Sequence, residues 1–126
     1  MAQSQRSPET KTDGPGTAIR LVMFGRRFAC ADQDRAQTWL ERHGIQYDFI
    51  DISTDPQAAH LLERWVGFLS VPTLVVARPG EIEPYHPPTP LHPGQRVRGL
   101  NRGTLITEPS NEDLERWLAQ HGLLPN

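Results

Sequence analysis

The sequence predicts an α/β fold of four strands and three helices in the order β-α-β-α-β-β-α, with helices on both faces of the sheet. Three observations carry that prediction. "AIRLVMF" (18–24) and "PTLVVA" (72–77) are almost unbroken apolar runs, as strands buried on both faces are. Elsewhere the pattern switches to helical spacing, at Ala36, Trp39, Leu40 and His43, at Ala58, Leu61, Leu62 and Trp65, and at Leu114, Trp117 and Leu118. Finally, the first two strands are each followed by a helix, the connection that parallel pairing requires.

Taken in order, residues 1–17 are polar and include Gly14, Pro15 and Gly16, so they are expected to form a disordered tail. The first strand is expected over 19–24. A helix then starts at Cys30, with Gly44 as its stop. "QYDFIDI" (46–52) reads as the second strand. Asp55 is placed to cap the second helix, with Pro56 at its first position, where a missing N–H costs nothing. "PTLVVA" is the third strand and "TLIT" (104–107) the fourth. "SNEDLERWLAQHG" is the last helix, with a Ser110/Asp113 capping pair and Gly122 as its stop. The three tryptophans, Trp39, Trp65 and Trp117, each fall on a helix face expected to point into the core.

One segment does not fit a compact version of this order. Between Ala77 and Thr104 runs "RPGEIEPYHPPTPLHPGQRVRGLNRG", with six prolines between positions 79 and 93. Proline excludes a helix or central strand there. A Pro/Arg-rich insertion is therefore expected at 78–103 within a domain spanning 18–122. Residues 79–95 should be extended and mostly solvent-facing, and "RVRG" is a candidate short edge strand.

Composition narrows the function. At 126 residues the chain holds one core, and its net charge of −2 argues against a nucleic-acid partner held by counterion release. No apolar run approaches the ~20 residues that span a bilayer. "MAQSQRSPETKTDGPGT" lacks the apolar region of a secretory signal, so the chain reads as cytoplasmic, where thiols stay reduced. It is expected to act as a monomer. The single cysteine, Cys30, excludes an internal disulfide, and none of the five histidines has zinc-ligand spacing with it or with one another.

The element order, with a cysteine at the first strand-to-helix junction and a Val-Pro dipeptide opening the third strand, resembles the glutaredoxin branch of the thioredoxin fold over roughly 19–78 and 104–121. "RLVMFGRRFAC" resembles the family's strand-loop-cysteine segment, with a loop one residue longer. "GIQYDFIDISTDPQA" resembles its second strand and following helix start. "SVPTLVV" resembles the segment whose proline is cis in this fold. "SNEDL" resembles the opening of the last helix, although Pro109-Ser110 replaces the usual Gly-Gly pair. The resemblance implies a thioredoxin-like, four-stranded mixed sheet with a cis peptide at Val71–Pro72. The sequence departs from the family at the active site, where C-x-x-C or C-x-x-S becomes "CADQ" and Gln33 takes the resolving position.

A thiol at a helix start is stabilised as thiolate by the helix dipole and free backbone N–H groups. Arg26 and Arg27 reinforce this, while Asp32 and Asp34 oppose it. Without a second cysteine, the remaining chemistry is a monothiol cycle: the Cys30 thiolate attacks a mixed disulfide, captures the small thiol, and a second thiol releases it. The resemblance implies glutathione or another low-molecular-weight thiol as co-substrate, with no bound cofactor, and a protein mixed disulfide as substrate. It places the ligand against Arg27, the Val71 backbone beside Pro72, and Asp113. Gln33 is a candidate donor to the thiolate.

Three other readings stand beside this one. The domain is an inactive thioredoxin-fold binding or interaction module that uses the 78–103 loop. Alternatively, "CADQDRAQTWL" resembles the arsenate-reductase-like and Spx-like C-x3-R-x-A-x2-W-L segment, although that family carries a helical insertion. Iron–sulfur ligation by a Cys30 dimer is the third, and here the C-G-F-S motif of cluster-carrying monothiol glutaredoxins is absent.

Overall fold

The computed structural model describes residues 11–12, 18–28 and 30–125. Its elements are β1 (Lys11–Thr12), β2 (Ala18–Gly25), α1 (Ala31–Arg42), β3 (Asp48–Asp51), α2 (Pro56–Val66), β4 (Thr73–Ala77), β5 (Leu105–Thr107) and α3 (Asn111–Gln120). Strands β3, β2, β4 and β5 lie side by side, with β3 parallel to β2 and the other pairings antiparallel. This is a four-stranded mixed sheet of thioredoxin type, in the predicted order. The sequence reading misses one addition. Lys11 and Thr12 pair antiparallel with Ile19 and Ala18, adding a fifth, two-residue strand where a tail is expected. The rest of that expected tail lies outside the described residues.

The sheet is covered on both faces. Leu21 and Met23 of β2, Leu74 and Val76 of β4 and Ile106 of β5 join Ala36, Leu40, Leu114, Trp117 and Leu118, so α1 and α3 share one face. The alternate residues, Val22, Phe24, Val75, Ala77 and Leu105, pack with Ala58, Leu62 and Val66 of α2. A strand side chain fully buried in this way contributes roughly 1.5–3 kcal/mol. Trp117 is fully buried. Trp65 packs edge-on to Phe24 at 5.4 Å, and Trp39, at the margin of its cluster, stacks on His43 at 3.8 Å.

The helix starts follow their caps. Asp55 Oδ1 accepts the Ala58 N–H at 3.1 Å, with Pro56 at the first position of α2. Ser110 Oγ accepts the Asp113 N–H at 3.1 Å, but the Asp113 carboxylate does not return the bond and turns to Arg116 at 2.7 Å. Aspartate is one methylene shorter than the glutamate that closes a capping box.

The 78–103 insertion is anchored at several points although none of residues 79–95 is buried. Tyr85 N–H donates to Val76 O at 2.7 Å, and Thr104 Oγ1 donates to His86 O at 2.7 Å. Val97 is buried against the α2 face of the sheet. "RVRG" does not form the expected edge strand. Its Arg98 makes an isolated bridge with Thr107 instead, and Asn101, two residues beyond the segment, makes another with Ile106. Arg102 is the main anchor: its side chain is buried and donates to Thr89 O at 2.8 Å and to Trp65 O at 2.6 Å, near the C-terminus of α2. That end of a helix carries partial negative charge and favours a cation. Replacing Arg102 with alanine leaves two carbonyls without their charged donor, and is expected to cost about 1.5–3 kcal/mol. A lowered urea midpoint at unchanged slope would show it; an unchanged midpoint would remove the anchoring role.

Candidate thiol site

The site lies where the β2–α1 loop meets the turn before β4. β2 ends at Gly25, and Cys30 is the N-cap of α1, extended at φ −89°, ψ 172°, with its carbonyl accepting the Asp34 N–H at 3.0 Å. Its side chain caps nothing, and the thiol is exposed. The Cys30 sulfur sits 3.7 Å from Val71 O, immediately before the cis peptide between Val71 and Pro72. Arg26 Nη2 reaches Leu69 O at 3.4 Å and ties the same two loops together. Cys30, Val71 and Pro72 are thus brought into one place.

Gln33 is not where the sequence reading puts its chemistry. It is fully buried, and its amide pairs both ways with the backbone of Arg26: Arg26 N–H to Oε1 at 2.9 Å and Nε2 to Arg26 O at 2.8 Å. The second amide hydrogen faces Gln37 Oε1 at 3.4 Å. No N–H remains for the thiolate, so the expected bond to sulfur is replaced by a clamp on the loop that presents it. Gly25 makes room for this clamp, since a Cβ there would lie 2.5 Å from Gln33 Oε1 and 2.7 Å from Phe49.

Arg27 is exposed and lines an open cleft of about 620 Å³ on the β3 side of the loop, together with Arg26, Phe28, Gln33, Phe49 and Asp51. Asp113 lies in the first turn of α3, with Oδ1 on Arg116 at 2.7 Å.

The sequence reading treats Asp32 as a bare negative charge near the sulfur, which it is not. Arg98 from the insertion grips it with two bonds, Nη1–Oδ2 at 2.6 Å and Nη2–Oδ1 at 2.8 Å, and Arg35 adds a third at 2.9 Å. Arg98 also holds Glu108 Oε1 at 2.6 Å, so two arginines balance two carboxylates. The hydrogen bonds from Arg98 are the chief cause that holds the Asp32 carboxyl below its ordinary value, against an opposing contribution from burial. Neither Arg98 nor Glu108 is among the residues expected from sequence. The one available signal is the "RVRG" segment, whose partner at position 32 lies 66 residues away.

Comparison with known proteins agrees with this geometry. Residues 21–78 match the Glutaredoxin family model, from β2 to the start of the insertion. The chain carries a glutaredoxin-like domain of the thioredoxin fold. Neither a curated protein nor a solved structure matches it. The matched span ends at Arg78, so β5, α3 and Arg98, the insertion's partner for Asp32, all lie beyond it. Among the described residues, no helix is long and apolar enough to cross a membrane.

Two expectations follow from the clamp and the ion pairs. Gln33→Cys removes the partners of the Arg26 N–H and C=O, so the reduced variant should lose about 1–3 kcal/mol. Denaturant melts of the reduced protein check this; an unchanged melt would mean the clamp is not structural. The folded Asp32 carboxyl titrates below its unfolded value, so its ion pairs contribute fully above about pH 5 and lose that contribution as pH falls through the lower folded value. The stability gap between wild type and Asp32→Asn should therefore hold from pH 7 to about pH 5 and close in more acidic solution. A gap that widens with acid would contradict the assignment.

Proposed function

We propose that this domain is a monothiol thiol–disulfide oxidoreductase that works through Cys30 on mixed disulfides of a low-molecular-weight thiol of the glutathione type. The observation that supports the reading is the exposed Cys30 thiol at the start of α1, 3.7 Å from the carbonyl that precedes cis-Pro72. A helix start favours the thiolate, and an extended thiol ligand finds in Val71 a backbone to pair with.

The cycle follows from there being one cysteine. The Cys30 thiolate attacks the small thiol's sulfur in a polypeptide mixed disulfide. The new S–S bond forms as the old one breaks, and the polypeptide leaves as a thiolate and takes a proton. A second small thiol, as its thiolate, attacks the captured sulfur; it departs as a symmetrical disulfide and Cys30 is regenerated. Gln33 holds the loop and takes no part in the exchange. Arg27, exposed at the mouth of the open cleft, meets a carboxylate of the thiol. Phe28, Phe68 and Leu69, exposed on the two loops that meet at Cys30, form an apolar rim for the polypeptide. In this reading the protein acts as a monomer in the reducing cytoplasm.

Cys30→Ser is expected to abolish turnover of a glutathione mixed disulfide. Arg27→Ala should weaken binding of the anionic thiol by about 1.5–3 kcal/mol, seen mainly in KM. Wild-type protein without turnover on any such disulfide, and without labelling of Cys30 near neutral pH, would overturn the enzyme reading. The insertion-bearing domain would then be a binding module.

A further inference from the structure

We infer that Tyr47 is a positioning residue for the thiol site: through Gln37 and Gln33 it orients the amide that clamps the loop presenting Cys30, and Glu41 holds it to that task. The effect on the loop stands by itself, whereas its consequence for turnover rests on Cys30 being the nucleophile.

Gln33, Gln37 and Glu41 follow one another at four-residue spacing along α1, so their side chains rise on one face of the helix, each a turn above the last. Tyr47, just before β3, meets this row from outside the helix. It packs at the margin of the core beneath α1, and its hydroxyl touches both Glu41 and Gln37. Every donor in the row points the same way. The Arg26 N–H donates to Gln33 Oε1 at 2.9 Å, and Gln33 Nε2 donates to Gln37 Oε1 at 3.4 Å. Gln37 Nε2 donates to the Tyr47 oxygen at 3.2 Å, and the Tyr47 hydroxyl donates to Glu41 Oε2 at 3.0 Å. The other Gln33 amide hydrogen closes the clamp on Arg26 O at 2.8 Å.

The sense of the chain is set at its outer end. An ionised carboxylate only accepts, so the single phenol proton goes to Glu41 and the phenol oxygen is left to accept. Burial raises the Tyr47 phenol above its ordinary value, against an opposing pull from the Gln37 amide, so the hydroxyl keeps its proton. Gln37 must then turn its nitrogen towards Tyr47 and its oxygen towards Gln33. The reverse orientation would set the Gln37 nitrogen against the Gln33 nitrogen, two donors with no acceptor between them. Gln33 in turn meets the Arg26 peptide with oxygen to N–H and nitrogen to C=O. Hydrogen bonds aligned in one sense polarise one another, so the exposed Glu41 carboxylate strengthens the buried contact at the far end. From Arg26 the effect reaches both loops at the thiol, because its guanidinium also bonds Leu69 O at 3.4 Å in the turn before β4.

The test compares variants by amide hydrogen exchange at Arg26, with the amides of β4 as the reference for opening of the whole domain, and by turnover of a glutathione mixed disulfide. Tyr47→Phe keeps the ring and deletes the hydroxyl. It should speed Arg26 exchange relative to β4 by roughly three- to tenfold, the factor that one lost hydrogen bond supplies, and turnover should fall severalfold. Gln37→Met should do the same. Tyr47→Phe added to Gln37→Met should change nothing further, because Tyr47 acts through Gln37. Glu41→Gln keeps an acceptor for the phenol and should stay close to wild type, whereas Glu41→Leu should resemble Tyr47→Phe. Arg26 exchange that is unchanged in Tyr47→Phe, or raised only as much as that of β4, would overturn the inference. Local loosening with unchanged turnover, in an active wild type, would overturn it equally, since Tyr47 would then serve stability alone. A wild type without turnover would remove the enzyme reading, and the exchange rates would then decide by themselves whether Tyr47 positions the loop.

Discussion

Strand β2 must hide apolar side chains on both of its faces, and the layout of the domain follows from how that is met. Leu21 and Met23 need the α1 and α3 layer, while Val22 and Phe24 need α2, so neither layer alone can cover the strand. Its edges are used as fully: β3 takes one in parallel and β4 the other antiparallel. A strand held on four sides has a fixed end. Gly25 is that end, and the loop that leaves it carries the thiol.

From there, rigidity passes to the site through a polar contact. The buried Gln33 amide pairs with the Arg26 peptide much as a neighbouring strand would, and fixes the loop to the helix that follows it. A buried amide is stabilising only when its donors and acceptors are satisfied, and the Arg26 peptide satisfies most of them. The position where a resolving thiol would stand is thus occupied by a structural group. One residue both leaves Cys30 without a partner thiol at position 33 and clamps the loop that presents it.

The insertion is exposed over most of its length yet fastened where it matters for the site. Arg102 binds it to the end of α2, and Arg98 carries its influence to the first turn of α1. Val97 is buried against the sheet, so Arg98 next to it projects from a seated residue. The charge that surrounds Cys30 is consequently shared between its own helix and a segment remote in sequence.

Most of the fold was legible in the chain. Unbroken apolar runs marked β2 and β4, helical spacing marked α1, α2 and α3, and Asp55–Pro56 and Ser110 marked two helix starts, because burial and capping act over a few residues and leave a local pattern. Cys30 at a helix start was legible for the same reason, whereas its place beside Val71–Pro72, 41 residues away, was implied only by the glutaredoxin resemblance. Three things were decided only by tertiary structure. Lys11–Thr12 becomes a strand because β2 offers it a partner. Gln33 turns from the sulfur to the Arg26 backbone because Gly25 leaves space there. Arg98 meets Asp32 and Glu108 because β5 and Val97 seat the insertion beside α1. Each depends on groups that a one-dimensional pattern cannot bring together, since a hydrogen bond or ion pair is set by distances in space and carries no periodicity along the chain.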